Sequence, residues 1–294
     1  MPTAFMSNDI PPYERRPFPF NRLDEEAVAA ANEAQLAARE IALRTPLQSD
    51  LQFTLKLEIP AQNAAPNARK LPGISGSDSV TVRLCEELQQ GIDGFSQVWT
   101  AVCVEDETQL VLKILQPSIC RGIPWDHRDE YFDPRDLAHN EAWVYQHLPH
   151  IQGTLIPYFF GLSTIVTPCG EEAWVLVLEY IPGLAGHKIN DSTPVSDIRE
   201  FCVLGASAVK EFILGGWSLR EIRSPNFILT GHPGSRTVVI IDLALSEPLH
   251  SCDLTEFTTS QMQDFFYSFA RGAFKFDPAL LTWARENFPH FLMT

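Results

Sequence analysis

From Leu51 to Ile59 apolar and polar residues alternate without exception. Leu51, Phe53, Leu55, Leu57 and Ile59 fall on one side, and Gln52, Thr54, Lys56 and Glu58 on the other. A period of two marks a strand with one buried face. After a Pro- and Gly-rich stretch (Pro60, Pro66, Pro72, Gly73, Gly76) that reads as a linker, VTVRL, QVWTAVCV and QLVLKIL follow from Val80. With the turn material GIDGF and EDET between them, they predict an antiparallel meander. AWVLVLEYIPG predicts a buried strand entering a turn, and VVII, just before Asp242, a strand buried on both faces.

Helical spacing takes over elsewhere. Between about 23 and 44, Asp24, Glu25 and Glu26 open and Arg39 and Arg44 close a segment whose charges match the helix dipole. Its apolar side is mostly alanine, which buries little area and predicts a peripheral, docking helix. Asp133 followed by Pro134 marks another helix start, with Leu137, Val144, Tyr145 and Leu148 as the packing stripe. Ile198, Phe201, Cys202, Val209, Phe212 and Ile213 predict a helix over 195–214, stopped by Gly215 and Gly216. Two last helical patterns carry Met262, Phe265, Phe266 and Phe269, and then PALLTWARENF. Aromatic residues at this spacing read as core rather than as a cofactor site.

Two charges break these patterns. Lys113 shares a strand face with Val111 and Leu115, and Glu141 lies inside the Leu137 to Leu148 stripe. Each has an ordinary alternative, a solvent-facing lysine on a half-exposed strand and a glutamate leaving the stripe's edge. Taken together, they predict an ion pair, because a buried ammonium and a buried carboxylate each need the other.

Composition narrows the function classes. The 294 residues are 45% apolar, enough for a substantial core. A formal charge of −15, from 37 acidic and 22 basic residues, opposes nucleic acid and anionic lipid surfaces as partners. The six cysteines show neither C-x-x-C spacing nor a zinc-like pairing with histidine. A reducing compartment is expected. With no leader-like N-terminus and with Glu179 interrupting the longest apolar run, the expected location is the cytoplasm, the nucleus remaining open.

Lys113 in VLKI, Glu141 in HNEAWVYQHL, Asn226 in LREIRSPN and Asp242 in VVIIDLA resemble, in order and context, the ATP site of protein kinases. QGTLIP, from Gln152 to Pro157, resembles a fungal-type kinase-like family. The resemblance runs from about Leu84 to Ala244. It implies a two-lobed α+β fold with a β-rich first lobe and a truncated helical second lobe. The divisions would be an extension at 1–75, a first lobe and hinge at 76–182, and a second lobe at 183–294.

It further implies ATP and magnesium as cofactors. Lys113 would grip phosphates, Glu141 would orient Lys113, and Asn226 and Asp242 would hold the metal. Leu178 would be the gatekeeper, with Glu179 and Ile181 offering main-chain contacts to adenine. Without the family, the same residues are a buried strand entering a turn. Gly91 and Val98 match the ends of a phosphate loop whose second and third glycines are Asp93 and Ser96, a pattern equally suited to an ordinary hairpin turn.

The departures fall on catalysis. Glu221 stands at the catalytic aspartate's position, Leu219 at the loop histidine's, and Arg223 at a phosphate-contacting lysine's. Leu243 and Ala244 replace the phenylalanine and glycine that follow the metal-binding aspartate. The 52 residues from 243 to 294 contain no A-P-E sequence. The expected function is therefore ATP/Mg binding with attenuated or atypical phosphoryl transfer to Ser/Thr hydroxyls. The alternative is an inactive pseudokinase that serves as a scaffold or allosteric partner. A third reading, a small-molecule phosphotransferase, calls for a histidine at Leu219 and an aspartate at Glu221.

Overall fold

A computed structural model describes residues 25–74, 79–92, 94–121, 133–249, 254–272 and 278–288. Helix α1 (Glu25–Arg44) precedes the strands β1 (Gln52–Lys56), β2 (Ser79–Gln89), β3 (Gln97–Cys103) and β4 (Gln109–Leu115). Helix α2 (Pro134–His147) leads to β5 (Phe159–Val166) and β6 (Glu172–Glu179). These strands form one antiparallel sheet in the order β1-β2-β3-β4-β6-β5. Alternation places Leu110, Leu112 and Ile114 of β4 on the inner face, in a core with Leu55, Val82, Trp99, Tyr158, Phe160 and Val177.

The edges of this sheet approach one another. Just beyond β1, the Glu58 N–H donates to Phe160 O at 2.7 Å, and within it Lys56 N lies 3.4 Å from Ser163 Oγ. The sheet is thus nearly closed and barrel-like, which shields edge strands that would otherwise expose unpaired backbone groups.

The remaining chain holds β7 (Leu184–Ala185), α3 (Val195–Leu214), β8 (Trp217–Ser218), β9 (Phe227–Thr230), β10 (Thr237–Ile240), β11 (Glu247–Pro248), α4 (Leu254–Gly272) and α5 (Pro278–Asn287). Strands β10, β9 and β7 form a small sheet, and β11 pairs with β8. The hairpin register Ile240↔Phe227 brings the ends of β9 and β10 together. No helix among the described residues is long and apolar enough to cross a membrane.

The two-lobed kinase architecture implied by the sequence resemblance is corrected here. The dominant element is the nearly closed six-stranded sheet, and the helices do not make a helical lobe with its own core. One apolar cluster runs from Leu115, Leu176 and Leu178 on the sheet's outer face, through Leu137 and Val144 of α2, to Phe201, Phe212, Phe265 and Ala284. The sequence reading placed the alternating 51–59 strand in an extension ahead of a linker. Its apolar side needs a facing apolar layer, and it finds one by pairing with β2 and returning to β5.

Candidate functional site

Strand β4 delivers Lys113 to the sheet's outer face, paired with Val98 on β3 and Leu176 on β6. The residue is 6% exposed. Its Nζ donates to Glu141 Oε2 at 2.6 Å and to Asp242 Oδ1 at 2.6 Å. Glu141 is fully buried on α2, which begins where the Asp133 side chain accepts the Arg135 N–H and Pro134 takes the first helical position. Its second oxygen accepts the Leu243 N–H at 3.2 Å. Both anomalous charges in the sequence are therefore resolved by one contact.

One ammonium between two carboxylates leaves a surplus negative charge. Burial alone would lower the Lys113 pKa, but Asp242 and Glu141 together hold it above the ordinary lysine value, so the ammonium stays charged. Burial also works against ionised Asp242, yet Lys113 outweighs it and keeps this carboxyl below the usual range. Glu141, deepest of the three, is pushed upward by burial and by Asp242, against the pull of Lys113. The negative charge thus settles on Asp242, whose side chain is 33% exposed, against 0% for Glu141.

Asp242 lies two residues beyond β10 at φ 63°. This left-handed conformation is one that an aspartate tolerates at a cost of about 1–2 kcal/mol. The Ile241 N–H donates to Asn226 O at 2.9 Å and sets Asn226 beside it. Asn226 is buried, and its Nδ2 donates to Glu221 O at 3.0 Å, which turns the amide oxygen away from that carbonyl. Glu221 is thereby fixed to the same turn. Burial and then the charge of Asp242 raise the Glu221 pKa, against Arg223, whose guanidinium donates to Glu221 Oε1 at 2.7 Å. A carboxylate with a raised pKa is better matched to accepting a proton near neutrality.

Glu221 also lines a cleft of about 630 Å³ with Arg220, Arg223, Ser224, Tyr267 and Ser268. Arg220 reaches Glu247, donating from Nε to Oε1 at 2.6 Å, and buried Leu219 has its N–H bound to Gln261 Oε1 at 3.2 Å.

The residues assigned to nucleotide contact are placed as follows. Val98 and Val111 are half-buried beside Lys113 on the same sheet face, and Leu178, opposite Val111, is buried. This supplies an aliphatic surface next to the ammonium. Gly91 adopts φ 77° in the β2–β3 turn, closed by the Gly94 N–H to Gly91 O at 2.9 Å. Ser96 is buried there with its carbonyl taken by Gln89, and Asp93 lies outside the described residues. Ile181 is buried just past β6.

Glu179 has a role that sequence reasoning missed. Its carboxylate takes a bidentate pair from Arg69, at 2.8 and 2.9 Å, together with the Tyr158 N–H at 3.0 Å. Arg69 also donates to Thr154 O and Ile156 O, so the segment before β2 is tied to the end of β6. Arg39 and Gln35 of α1 similarly donate to the carbonyls of Ser118 and Cys120, just past β4. No local pattern marked the first tie, since Arg69 stands beside Lys70 in a Pro- and Gly-containing linker.

Among the described residues, no group of three or more His, Cys, Asp or Glu side chains is placed to hold a metal. Asp242, part-exposed and ionised, together with the neighbouring Asn226, fits the magnesium mode in which one or two protein oxygens share the ion with phosphate oxygens. In comparisons with known proteins, no family model matches the chain and no curated protein matches it.

Proposed function

We propose that the Lys113, Glu141, Asp242, Asn226 and Glu221 cluster binds ATP with magnesium and supports slow phosphoryl transfer to a Ser/Thr-type hydroxyl. The observation that carries this reading is Lys113 Nζ held at 2.6 Å from both Glu141 and Asp242. An ammonium so placed, charged and backed by an aliphatic strand face, suits phosphate oxygens with the base of a nucleotide alongside. The chemistry does not depend on the two-lobed kinase architecture, because such work is done by a local constellation.

Bound magnesium would neutralise charge developing on the phosphates. The chain's own residues divide the remaining tasks. Asp242 and Asn226 would supply the oxygens that hold the ion. Lys113 donates to phosphate and Glu141 keeps it oriented. Glu221 accepts the proton of the acceptor hydroxyl as its oxygen bonds to the γ-phosphorus and the bond to the β-phosphate oxygen breaks, releasing ADP. Arg223 holds Glu221 in reserve until an anionic group competes for the guanidinium.

That last contact also favours a second reading, a nucleotide-responsive scaffold without transfer, since the Glu221 carboxylate is already occupied. Thermal unfolding with millimolar ATP, with and without magnesium, tests the site. The expected result is a metal-dependent rise in Tm that Asp242→Asn loses. A parent protein that shows no shift refutes nucleotide binding altogether.

A further inference from the structure

Asn140, next to Glu141 on α2, is fully buried and is used by none of the steps above. Its Nδ2 donates to Ala244 O at 2.6 Å, with Ser246 O at 3.5 Å. Both neighbours are carbonyls, so the amide nitrogen must face them. The amide oxygen then points elsewhere, and it takes no hydrogen bond from any described residue. A buried acceptor left unpaired opposes folding. An apolar side chain of similar size would avoid that cost but strip the Ala244 carbonyl of its donor, so the two effects oppose each other and stability alone gives little reason for asparagine at this position.

What the asparagine does hold is the backbone that shapes Asp242. The Ala244 carbonyl, two residues past Asp242, is the group that Asn140 grips. Glu141 takes the Leu243 N–H at 3.2 Å, and Ser246 N closes a turn onto Leu243 O at 3.0 Å. Two successive residues of α2 therefore clasp Leu243, Ala244 and Ser246, just past Asp242, itself in a left-handed conformation. Movement of α2 would release the Lys113 pair and this clasp together.

We infer that Asn140 is a positioning residue: through Ala244 it fixes the backbone that follows Asp242, and so couples the seating of α2 to the metal-binding end of the site. Its functional half rests on the nucleotide reading, whereas its geometric half does not. Asn140→Leu keeps the volume, removes the orphan oxygen and deletes the donor. Hydrogen exchange should become about fivefold faster at the 243–246 amides, the effect of losing one net hydrogen bond, and stay unchanged in α3 and β6. The denaturation midpoint should stay close to the parent's, since one orphan oxygen is removed as the Ala244 carbonyl loses its donor, while the magnesium-dependent part of the ATP thermal shift shrinks.

Asn140→Ala should give the same local exchange pattern if the leucine variant folds poorly. Unchanged exchange at 243–246, or acceleration spread evenly over the chain, overturns the positioning role. Faster local exchange with an intact magnesium-dependent shift overturns the coupling to the metal end. If ATP shifts neither parent nor variant, the nucleotide reading has failed, and the exchange pattern alone decides whether Asn140 holds the Asp242 segment.

Discussion

Replacing Lys113 with methionine removes the single cation that two carboxylates share. The methionine fills the stem's volume, so the loss is almost wholly electrostatic. Glu141 is 0% exposed, and without Nζ its remaining donor among the described residues is the Leu243 N–H. Breaking a buried ion pair from one side destabilises by about 3–5 kcal/mol, because the remaining charge stays desolvated and unpaired. Asp242, being part-exposed, adds less. Glu141 in the variant escapes by taking up a proton, so its folded-state pKa rises further above its unfolded value.

The sign follows from linkage. Between those two values the folded state binds the extra proton, so stability is retained below the unfolded pKa and lost as pH rises through the folded one. Urea denaturation of Lys113→Met should therefore show the full deficit at pH 8 and a smaller one at pH 5. Lys113→Met combined with Glu141→Leu should recover most of the loss, since exchanging both partners of a buried pair for apolar groups is often neutral. A single variant as stable as the parent at pH 8, or a double variant no better than the single, would refute the account of the pair.

Three further outcomes are expected. Glu221→Asp, with a shorter carboxylate at the base position, should raise ATP hydrolysis or autophosphorylation, and Glu221→Gln should abolish it; equal rates in all three proteins at matched nucleotide occupancy exclude Glu221 as the base. Arg69→Ala strips the bidentate partner from Glu179, which is 6% exposed, and should lower stability by about 3 kcal/mol in a denaturant titration, with Arg69→Lys recovering only part because an ammonium cannot reproduce the fork. At Gly186 an added Cβ would lie 2.2 Å from Ser224 O, so Gly186→Ala should displace the turn carrying Asn226 and weaken magnesium-dependent ATP stabilisation more than metal-free binding. Equal weakening of both would break the assignment of Asn226 to the metal.

Periodicity in the sequence reports what a segment does with its own side chains. It was enough to predict the 195–214 helix, the Asp133 start of α2, a strand within the alternating 51–59 segment, formed over Gln52–Lys56, and one at VVII (238–241), formed over Thr237–Ile240. It was also enough to identify Lys113 and Glu141 as mutual partners, since a charge on a packing face is locally anomalous and only an opposite charge removes the anomaly. A pattern does not say which layer covers a face. The return of the 51–59 segment to β5 and the cluster that the sheet's outer face shares with the helices were therefore invisible, and the two-lobed kinase expectation failed there.

The same holds for contacts that join residues with unremarkable local settings. Arg69 meets Glu179 across 110 positions, and Asn140 meets Ala244 across 104. Neither the linker arginine nor the helix asparagine breaks a pattern on its own. Asp242's left-handed backbone is likewise decided by tertiary contacts. It persists because Asn226, Lys113 and α2 hold the chain on every side, a constraint that exists only after residues distant in sequence have packed together.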